Sequence, residues 1–510
     1  MWTTPGSPPE VPPVRLLGRT FEYKFIVAAV FVSALFLDIL DVTIVNVALR
    51  TIGEDFRTEA IEWVVLGYTL SLAVWIPASG WFGDRFGTKR VLLTALALFV
   101  VGSALCGFAQ SIGQLVAFRV LQGVGGGMLT PVGVAMMFRA FPPIERARAA
   151  TIVMIPTLAA PALGPVLGGL LTETLGWRWI FFVNVPFGIA ALAFGLRFLR
   201  EHTESTAGGF DVPGFVLSGF GLAGIAYSLS EGPRNGWDDP WVLVLGLGGV
   251  VSFTVLVWVE THISEPMLAL RLLRDRLFRT TNLVMAFGMM SFIGLTFVMP
   301  LYLQSLLGLS PLEAGLTTFP QAVGILVSSQ ISGRLYPQVG PRRLIVAGML
   351  VATLAICGLL LIDLETDLWV IRGLIFARGL GMGFTFVAIQ AASYARVASA
   401  DNGRASAIFS TQRQMAIAIG VAVMATVLTS FTTLSEAPTD VQRALDGYRW
   451  TFAVGAATAL VAALIATRIN DADAAASMHP RLPQPPPDQR VCAPTTHPPT
   501  SIEQTRVTER

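Results

Sequence analysis

The sequence is poor in charge, cysteine and histidine. Only 13% of its 510 residues are Asp, Glu, Lys or Arg, whereas 53% are hydrophobic and the mean hydropathy is +0.65. This composition excludes an ordinary water-soluble globular protein. The three cysteines, Cys106, Cys357 and Cys492, lie far apart and show no CxxC or His/Cys spacing. We therefore predict neither a disulfide framework nor a metal site.

Two further scarcities narrow the function. The four histidines fall in predicted loops, helix ends or the tail, and no His-, Cys- or Ser-centred spacing typical of a catalytic site occurs at membrane depth. The net charge is only +2, and the basic residues are spread over short loops rather than massed in one segment. The sequence therefore predicts that the protein is not an enzyme, holds no cofactor and binds no nucleic acid.

What the chain has instead is a series of apolar runs of about 20 residues, the length that a helix needs to cross a bilayer. They predict an all-α polytopic membrane protein with fourteen transmembrane helices. The predicted spans are residues 25–48, 61–82, 90–109, 113–139, 149–172, 178–199, 211–230, 240–262, 281–306, 313–335, 342–362, 368–395, 404–431 and 448–468.

Charge in the loops predicts the orientation. Alternate loops, beginning with the one that holds Arg85, Lys89 and Arg90, carry most of the basic residues, so both termini are expected in the cytoplasm. Residues 1–24 are proline-rich and precede the first span without an apolar core or cleavage site, which favours a short tail over a signal peptide. Residues 469–510 are rich in Pro, Thr, Ala and charge and are expected to form a disordered cytoplasmic tail.

An internal repeat divides the chain. The segment from Gly80 to Arg90 recurs as Gly333 to Arg343, with two glycines and two basic residues in register, and each copy precedes an arginine in a glycine-rich helix, Arg119 or Arg378. Such duplication around a central site is typical of secondary transporters.

The repeat predicts two six-helix bundles, and the two remaining helices of the predicted fourteen lie between them. The bundles are assigned to residues 25–200 and 281–468, and the linker with two extra helices to residues 201–280.

Two acids lie in the first predicted span. Asp38 and Asp41 are three residues apart and share a helix face, which is expected to turn away from lipid because a carboxylate there costs several kcal/mol. Arg119 is predicted at the same depth, so we hypothesise that it contacts Asp41 or Asp38 and that protonation weakens the contact. The alternatives are a purely structural pair of acids and an arginine that bonds backbone carbonyls.

Five segments in chain order resemble motifs of the major facilitator superfamily and, within it, of the fourteen-helix drug:proton antiporters of the EmrB/QacA type. The similarity spans nearly the whole chain between the tails. Two positions depart from the motifs: Ala160 replaces a glycine, and Arg50 replaces a proline. The segments start at Asp41 (DVTIVNVAL), Gly80 (GWFGDRFGTKR), Arg119 (RVLQG), Gly164 (GPVLGG) and Trp177 (WRWIFFVNVP).

This resemblance implies a proton-coupled exporter of lipophilic, often cationic, small molecules, working by alternating access in the bacterial plasma membrane. The proton gradient would supply the energy, protons and membrane lipids would be its other partners, and the protein would act as a monomer. A dedicated exporter of an endogenous metabolite or lipid is the alternative. Proton coupling would rest on Asp41, Asp38 and Arg119.

The loop motif implies a cytoplasmic gate that stabilises the outward-facing form. The second copy has Pro337 where the first has Asp84, so only the first half is expected to carry the gate; a solvated loop that only sets topology is the alternative. The predicted gate residues are Gly80, Asp84, Arg85, Gly87, Lys89 and Arg90.

Two more sets of residues are assigned. Gly164, Pro165, Gly168 and Gly169 combine a missing amide donor with small faces, which permits a hinge or simply close helix packing. The thirteenth span has no acid, which argues against divalent cationic drugs and favours monovalent cations or neutral amphiphiles. The predicted substrate-cavity residues are Asn46, Gln122, Gln412, Arg413 and Gln414.

Overall fold

The computed structural model describes residues 14–16, 19–141, 146–203, 209–263, 270–397, 402–434 and 440–478. Within these ranges the regular structure is α-helical, apart from two short 3-10 turns and a two-stranded antiparallel hairpin. Strands β1 (Val14–Leu16) and β2 (Arg19–Phe21) pair with Val14 opposite Phe21. The hairpin falls in the predicted N-terminal tail.

The helices follow the predicted spans closely. The sixth predicted span is two helices, α6 and α7. The bounds are α1 Tyr23–Phe56, α2 Glu62–Phe86, α3 Thr88–Phe108, α4 Ile112–Ala140, α5 Arg146–Thr174, α6 Trp179–Phe182, α7 Asn184–Phe198, α8 Val212–Asn235, α9 Pro240–His262, α10 Arg276–Ser305, α11 Pro311–Val339, α12 Pro341–Leu359, α13 Leu368–Ser393, α14 Asn402–Thr429, α15 Val441–Ala466 and α16 Ala475–Met478.

Local chemistry sets several helix ends. Ser310 begins α11 with a capping box, in which its hydroxyl accepts the backbone N–H of Glu313 and the Glu313 carboxylate accepts the N–H of Ser310. Helix α1 continues eight residues past the predicted end at Ala48. Its extra turns carry an ion pair of 2.8 Å between Arg50 and Glu54, one turn apart, and it ends where Arg57 adopts a left-handed conformation, with φ 51°.

Twelve helices of the described chain are long and apolar enough to cross a membrane. They are α1 to α4, the α6–α7 stretch Trp179–Phe198, α8 to α10 and α12 to α15. Helices α5 and α11 are also long, at 29 residues each, but are not among the twelve. Helix α11 is rich in polar residues, including Gln321, Ser328 and Ser332. The count of fourteen membrane-crossing helices therefore stays a prediction.

The long helices pack as two bundles, the N-terminal half (α1 to α7) and the C-terminal half (α10 to α15). In the first, α4 packs against α2 and α3, and α1 against α5; in the second, α13 packs against α11 and α12, and α10 against α14 and α15. The halves meet where α5 contacts α11, α2 contacts α14 and α1 contacts α10. Helices α8 and α9 pack on each other, and α8 also contacts both α2 and α14.

Glycines show how the halves correspond. A Cβ on Gly123 would lie 2.7 Å from the carbonyl oxygen of Tyr68 in α2. A Cβ on Gly379 would clash with the carbonyl oxygen of Gln321 in α11. Tyr68 precedes Gly87 by 19 residues, and Gln321 precedes Gly340 by the same number. Gly123 therefore corresponds to Gly379.

The same register continues along the two helices. A Cβ on Gly125 would lie 2.6 Å from the amide nitrogen of Phe99, twelve residues after Gly87. A Cβ on Gly381 would lie 2.7 Å from the amide nitrogen of Ala352, which is twelve residues after Gly340. Arg378, which directly precedes Gly379, thus corresponds to Gln122. Arg378 and Arg119 are therefore not equivalent positions, because backbone packing at the glycines fixes the register.

The end of the molecule that carries the start of α1 and the end of α15 is here called the termini end, and the opposite end is called the far end. At the termini end, an acid caps one helix of each half in the same way. Gly87 has φ +96°, and the Glu201 carboxylate accepts the N–H groups of Lys89 at 3.0 Å and Arg90 at 3.1 Å at the start of α3. An acid at a helix N-terminus satisfies amides that have no partner in the helix and favours its dipole.

The second copy uses Asp471 in this role. Gly340 has φ +83°, and Asp471 accepts the N–H of Arg342 at 2.9 Å at the start of α12. Arg396, three residues after the end of α13, pairs with Asp473 at 3.0 Å and Asp275 at 3.4 Å. An acid therefore caps this helix in both copies, although in the second copy it comes from a segment far from the repeat in sequence. That only the first half carries the gate stays a prediction.

The segment after α15 is ordered up to the last described residue of this region. Residues 471–474 form a 3-10 turn and α16 follows, with Ala474 fully buried and the Ser477 hydroxyl 2.7 Å from that of Tyr336 in α11. The disorder predicted from residue 469 onward thus does not hold for residues 469–478. The remainder of that predicted tail lies outside the described residues.

We expect Asp471→Ala to destabilise the protein by about 1 kcal/mol, the usual cost of losing a helix-capping side chain. Thermal unfolding of the detergent-solubilised protein measures the effect. Asp446→Ala is the matched control, since Asp446 is an exposed acid of α15 at the far end with only a 3.8 Å contact to Arg449. Equal shifts in the two variants would contradict the capping role.

Candidate functional site

A buried ion pair lies inside the N-terminal half. Asp41 of α1 is 0% exposed and Arg119 of α4 is 1% exposed, and the Arg119 Nη1 contacts the Asp41 Oδ2. The guanidinium also donates from Nε to the Val64 carbonyl at 3.0 Å and lies 4.1 Å above the Tyr68 ring. The predicted contact of Arg119 is confirmed and forms with Asp41. Arg119 also bonds a backbone carbonyl, so both roles considered for it from the sequence occur together.

The second oxygen of Asp41 is fully occupied. Its Oδ1 accepts the Gln122 Nε2 at 2.9 Å and the Asn184 Nδ2 at 3.1 Å. Gln122 in turn accepts from Arg119 at 2.8 Å, and Asn184 also contacts the Ser103 hydroxyl at 3.2 Å. One carboxylate therefore ties α1 to α4 and α7. A buried charge with this many partners is stable only while all of them stay in place.

Asp38 has a different environment. It is 9% exposed, accepts a hydrogen bond from the Tyr68 hydroxyl and has no basic group within 4 Å among the described residues. It interacts electrostatically at longer range with Arg413 of α14, in the other half. Three residues place it about 4.5 Å nearer the termini end than Asp41. The two acids thus differ: Asp41 is neutralised within its own half, and Asp38 is not.

The predicted cavity residues do not form one cluster. Gln122 belongs to the Asp41 site, while Asn46 is buried and donates to the Val42 carbonyl of its own helix at 3.2 Å. Gln412 donates to the Asn282 carbonyl of α10 at 2.8 Å.

In α14, three of the predicted cavity residues adjoin one another. Gln414 is buried, Arg413 is half-buried, and the Nε of Arg413 and the Oε1 of Gln412 have no hydrogen-bond partner among the described residues. Unused donors and acceptors at this depth are available to a ligand or to water.

The predicted gate residues make contacts within the N-terminal half. Asp84 lies 3.5 Å from Arg139 of α4, and Lys89 Nζ donates to the Leu196 carbonyl of α7 at 3.1 Å. Arg85 is exposed, and a Cβ on Gly80 would meet nothing within 4 Å. Arg90 lies 3.6 Å from Glu201, so the basic residues brace the termini end of this half.

The predicted hinge residues line a close-packed seam. A Cβ on Gly164 or Gly168 would fall within 3 Å of Thr43 or Ile44 of α1. A Cβ on Gly169 would lie 2.6 Å from the Leu312 Cα of α11, across the two halves. Helix α5 runs through Pro165 without interruption. The glycines therefore bring three backbones together, and a hinge function stays a prediction.

Among the described residues, four hydrogen bonds join the halves at the far end. Gln304 of α10 donates to the Val47 carbonyl at 2.9 Å, and Arg50 donates to the Gln304 carbonyl. Glu173 of α5 accepts the Leu312 N–H at 3.4 Å, and Glu59 accepts the N–H of Leu434. Arg50, which replaces the usual proline of the first motif, thus takes part in closing the far end.

Sequence reasoning missed two residues of the site. Asn184 was noticed only as part of a motif, although an amide followed by Pro186 in an apolar span signals a buried polar contact. Tyr68 gave no signal, because a tyrosine in a predicted span is ordinarily a packing residue. Its role follows only from α2 placing its hydroxyl against Asp38 and its ring beneath Arg119.

Comparison with known families gives one consistent answer. The family model described as Major Facilitator Superfamily matches residues 31–421 and, in a second match, residues 281–504. The two overlapping matches together cover more than half of the chain.

Three relatives at 30% identity or more are named as multidrug resistance proteins. The chain is 34% identical over 410 residues to the multidrug resistance protein B homolog of Mycobacterium tuberculosis, covering 79% of this chain and 76% of the relative. It is 30% identical over 438 residues to the putative multidrug resistance protein MdtD of Cronobacter sakazakii, covering 86% and 93%. It is 32% identical over 400 residues to the multidrug resistance protein Stp of M. tuberculosis, covering 78% and 74%.

Solved structures share the fold at low identity. A bacterial homologue of the human lysosomal transporter Spinster, in an inward-facing and unoccupied conformation, superposes with a TM-score of 0.64 at 16% identity, covering 89% of this chain and 98% of that one. A D-xylose-proton symporter superposes with a TM-score of 0.61 at 13% identity, covering 88% and 98%.

We expect Asp41→Asn and Arg119→Gln each to destabilise the protein by roughly 3 kcal/mol or more, because either change leaves a buried charge without its partner. The double variant is expected to lose much less stability than the sum of the losses in the two single variants. Thermal or denaturant unfolding of all four forms measures the coupling. Asp55→Asn with Arg178→Gln is the control cycle, since that 3.0 Å pair is exposed on both sides. Additive losses at Asp41 and Arg119 would contradict the pairing.

Proposed function

Because the chain belongs to the Major Facilitator Superfamily, we propose that it is a proton-coupled exporter of lipophilic small molecules that works by alternating access. It is a transporter and not an enzyme. Its relatives' names support multidrug export. The observation that carries proton coupling is the ion pair of Asp41 with Arg119, buried among apolar helices where a structural role alone is costly.

We place the protein in a bacterial plasma membrane as a monomer with fourteen spans and both termini in the cytoplasm, so that the termini end faces inward. Helices α8 and α9 are then the inserted linker pair. Contacts of α8 with both halves support a positioning role: the Trp63 indole donates to Glu231 at 3.1 Å, Ser230 donates to Glu62 at 2.5 Å, and Thr426 of α14 donates to the Leu229 carbonyl.

In this arrangement the far end is the outer side, and the hydrogen bonds around Gln304 close it. The Asp41 carboxylate is paired with Arg119 in this form. We propose that a proton reaches Asp41 when the outer side opens, weakens the contact with Arg119 and frees α4 to shift against α1. Asp38, one helical turn nearer the cytoplasm and bonded to Tyr68, is placed to pass the proton inward.

The remaining predicted sites fit the same cycle. Closure of the cytoplasmic side would bring the gate residues around Asp84 toward the other half, and the open space at Gly80 leaves room for that approach. The seam of Gly164, Gly168 and Gly169 would seal the outer side against leakage while it is closed.

The proposed substrates are lipophilic molecules, which are often cationic. Asp38 is the acid that we propose for contact with a cationic substrate. A dedicated exporter of an endogenous metabolite or lipid is the second candidate, since the same machinery serves a narrow cavity equally well. Drug accumulation in cells with and without a protonophore, compared with metabolite profiles of a deletion strain, separates the two.

We expect purified protein in liposomes to drive proton flux when substrate is added, and Asp41→Asn to abolish that flux. Asp38→Asn is expected to reduce it strongly. A pH-sensitive dye inside the liposomes measures the flux. Asp55→Asn, in the same helix but exposed at the far end, is the control and keeps it. Flux of normal size in Asp41→Asn, still following an imposed pH gradient, would overturn the proton-site assignment.

A further inference from the structure

The C-terminal half contains a second buried arginine, and this one has no acid beside it. Arg378 of α13 is 2% exposed. One of its terminal nitrogens, Nη2, donates to the Thr296 hydroxyl of α10 at 3.0 Å and to the Gln321 amide oxygen of α11. Its guanidinium lies 5.2 Å from the centre of the Phe292 ring. All of these partners are neutral.

Most of the hydrogen-bonding capacity of Arg378 is unused. A guanidinium has five N–H donors, and the single N–H on Nε and the two on Nη1 have no acceptor although both nitrogens are buried. No carboxylate of the described residues lies within 4 Å of the group. A buried charge without a counter-charge is costly, and unsatisfied buried donors add to that cost. Water can fill the donors but leaves the charge uncompensated.

The N-terminal half has no such excess. Gln122, the residue that corresponds to Arg378, is a neutral amide beside the balanced pair of Asp41 and Arg119. The glycine packing around the two positions is the same, so the fold itself does not require a charge there. The positive group of α13 is therefore an added feature of this half.

A further basic group lies in the same half. Arg413 of α14 also has an Nε without a partner, and its electrostatic interaction is with Asp38 across the halves. The helices that hold the partners of Arg378, α10 and α11, are those that meet α1 and α5 of the other half. The C-terminal half thus holds positive charge beside helices that contact the N-terminal half.

We propose that Arg378, positioned by Thr296 and Gln321, is a binding subsite for the anionic group of a lipophilic substrate. Carboxylate and phosphate groups match the paired N–H donors of a guanidinium, and the Phe292 ring beside them suits an apolar body. This inference rests on the proposed export function and extends its substrate class, since the sequence favoured cations and neutral amphiphiles. Anionic and zwitterionic amphiphiles become substrates.

The test compares two fluorescent probes with the same acyl chain, one ending in a carboxylate and one in a quaternary ammonium. Transport is measured into liposomes that hold the protein in the inside-out orientation, with an imposed pH gradient. The proteins compared are the parent, Arg378→Gln, Arg378→Lys and the control Arg372→Gln. Arg372 lies in the same helix, donates to Thr317 at 3.4 Å and lies 4.8 Å from the centre of the Trp369 ring. A third probe with a phosphate head, and free inorganic phosphate as competitor, separate a lipid-like ligand from a free anion.

We expect Arg378→Gln to slow carboxylate transport about tenfold or more, the effect of losing one charged hydrogen-bonding partner, and to leave ammonium transport within about twofold. Arg378→Lys keeps part of the carboxylate transport, and Arg372→Gln changes neither probe. The melting temperature of Arg378→Gln does not fall, because the change removes an uncompensated buried charge. A purely structural arginine would instead lower it.

Each other outcome is decisive. If Arg378→Gln loses transport of both probes equally, or transports the carboxylate probe as the parent protein does, the subsite proposal is overturned. A parent protein that moves the ammonium probe but not the carboxylate or phosphate probe also overturns it, while the export function stands. A parent protein that moves no probe under the gradient contradicts the proposed function itself.

Discussion

The structure depends on one constraint, that a charge buried among apolar helices needs a partner. Asp41 meets it by accepting from Arg119, Gln122 and Asn184, so a single carboxylate fixes α1 against α4 and α7. Arg119 adds the Val64 carbonyl of α2 and the Tyr68 ring. The N-terminal half is thus organised around a balanced pair, and adding one proton to Asp41 removes the balance that holds four helices in register.

The two halves meet this constraint differently although their backbones correspond. Glycines of α4 and α13 allow the same close approach to α2 and α11, and an acid caps the first turn of both α3 and α12. The polar chemistry diverges at the centre: Gln122 completes a neutral cluster, whereas Arg378 carries an unpaired charge. In the proposed cycle one half exchanges a proton and the other holds a ligand. Hydrogen bonds around Gln304 join the halves at the far end.

The sequence predicted the helices and the Arg119 contact, because run lengths place Asp41 and Arg119 at one depth. It did not predict which acid pairs, since Asp38 and Asp41 share a face and the choice depends on Tyr68 and Asn184 from other helices. The repeat was predicted, but the residue of the first half that corresponds to Arg378 was not, because backbone contact at glycine is not visible in one sequence. Asp471 was assigned to a disordered tail, since composition carries no signal for a capping role.

The central claim is that Asp41 changes its protonation state while its contact with Arg119 forms and breaks. Infrared difference spectroscopy of the reconstituted protein tests this directly, by recording carboxyl bands as the pH falls and as substrate is then added. The account predicts a protonated-carboxyl band that appears on acidification, disappears on addition of substrate and is missing in Asp41→Asn. A band unaffected by substrate, or one that persists unchanged in Asp41→Asn, would contradict it.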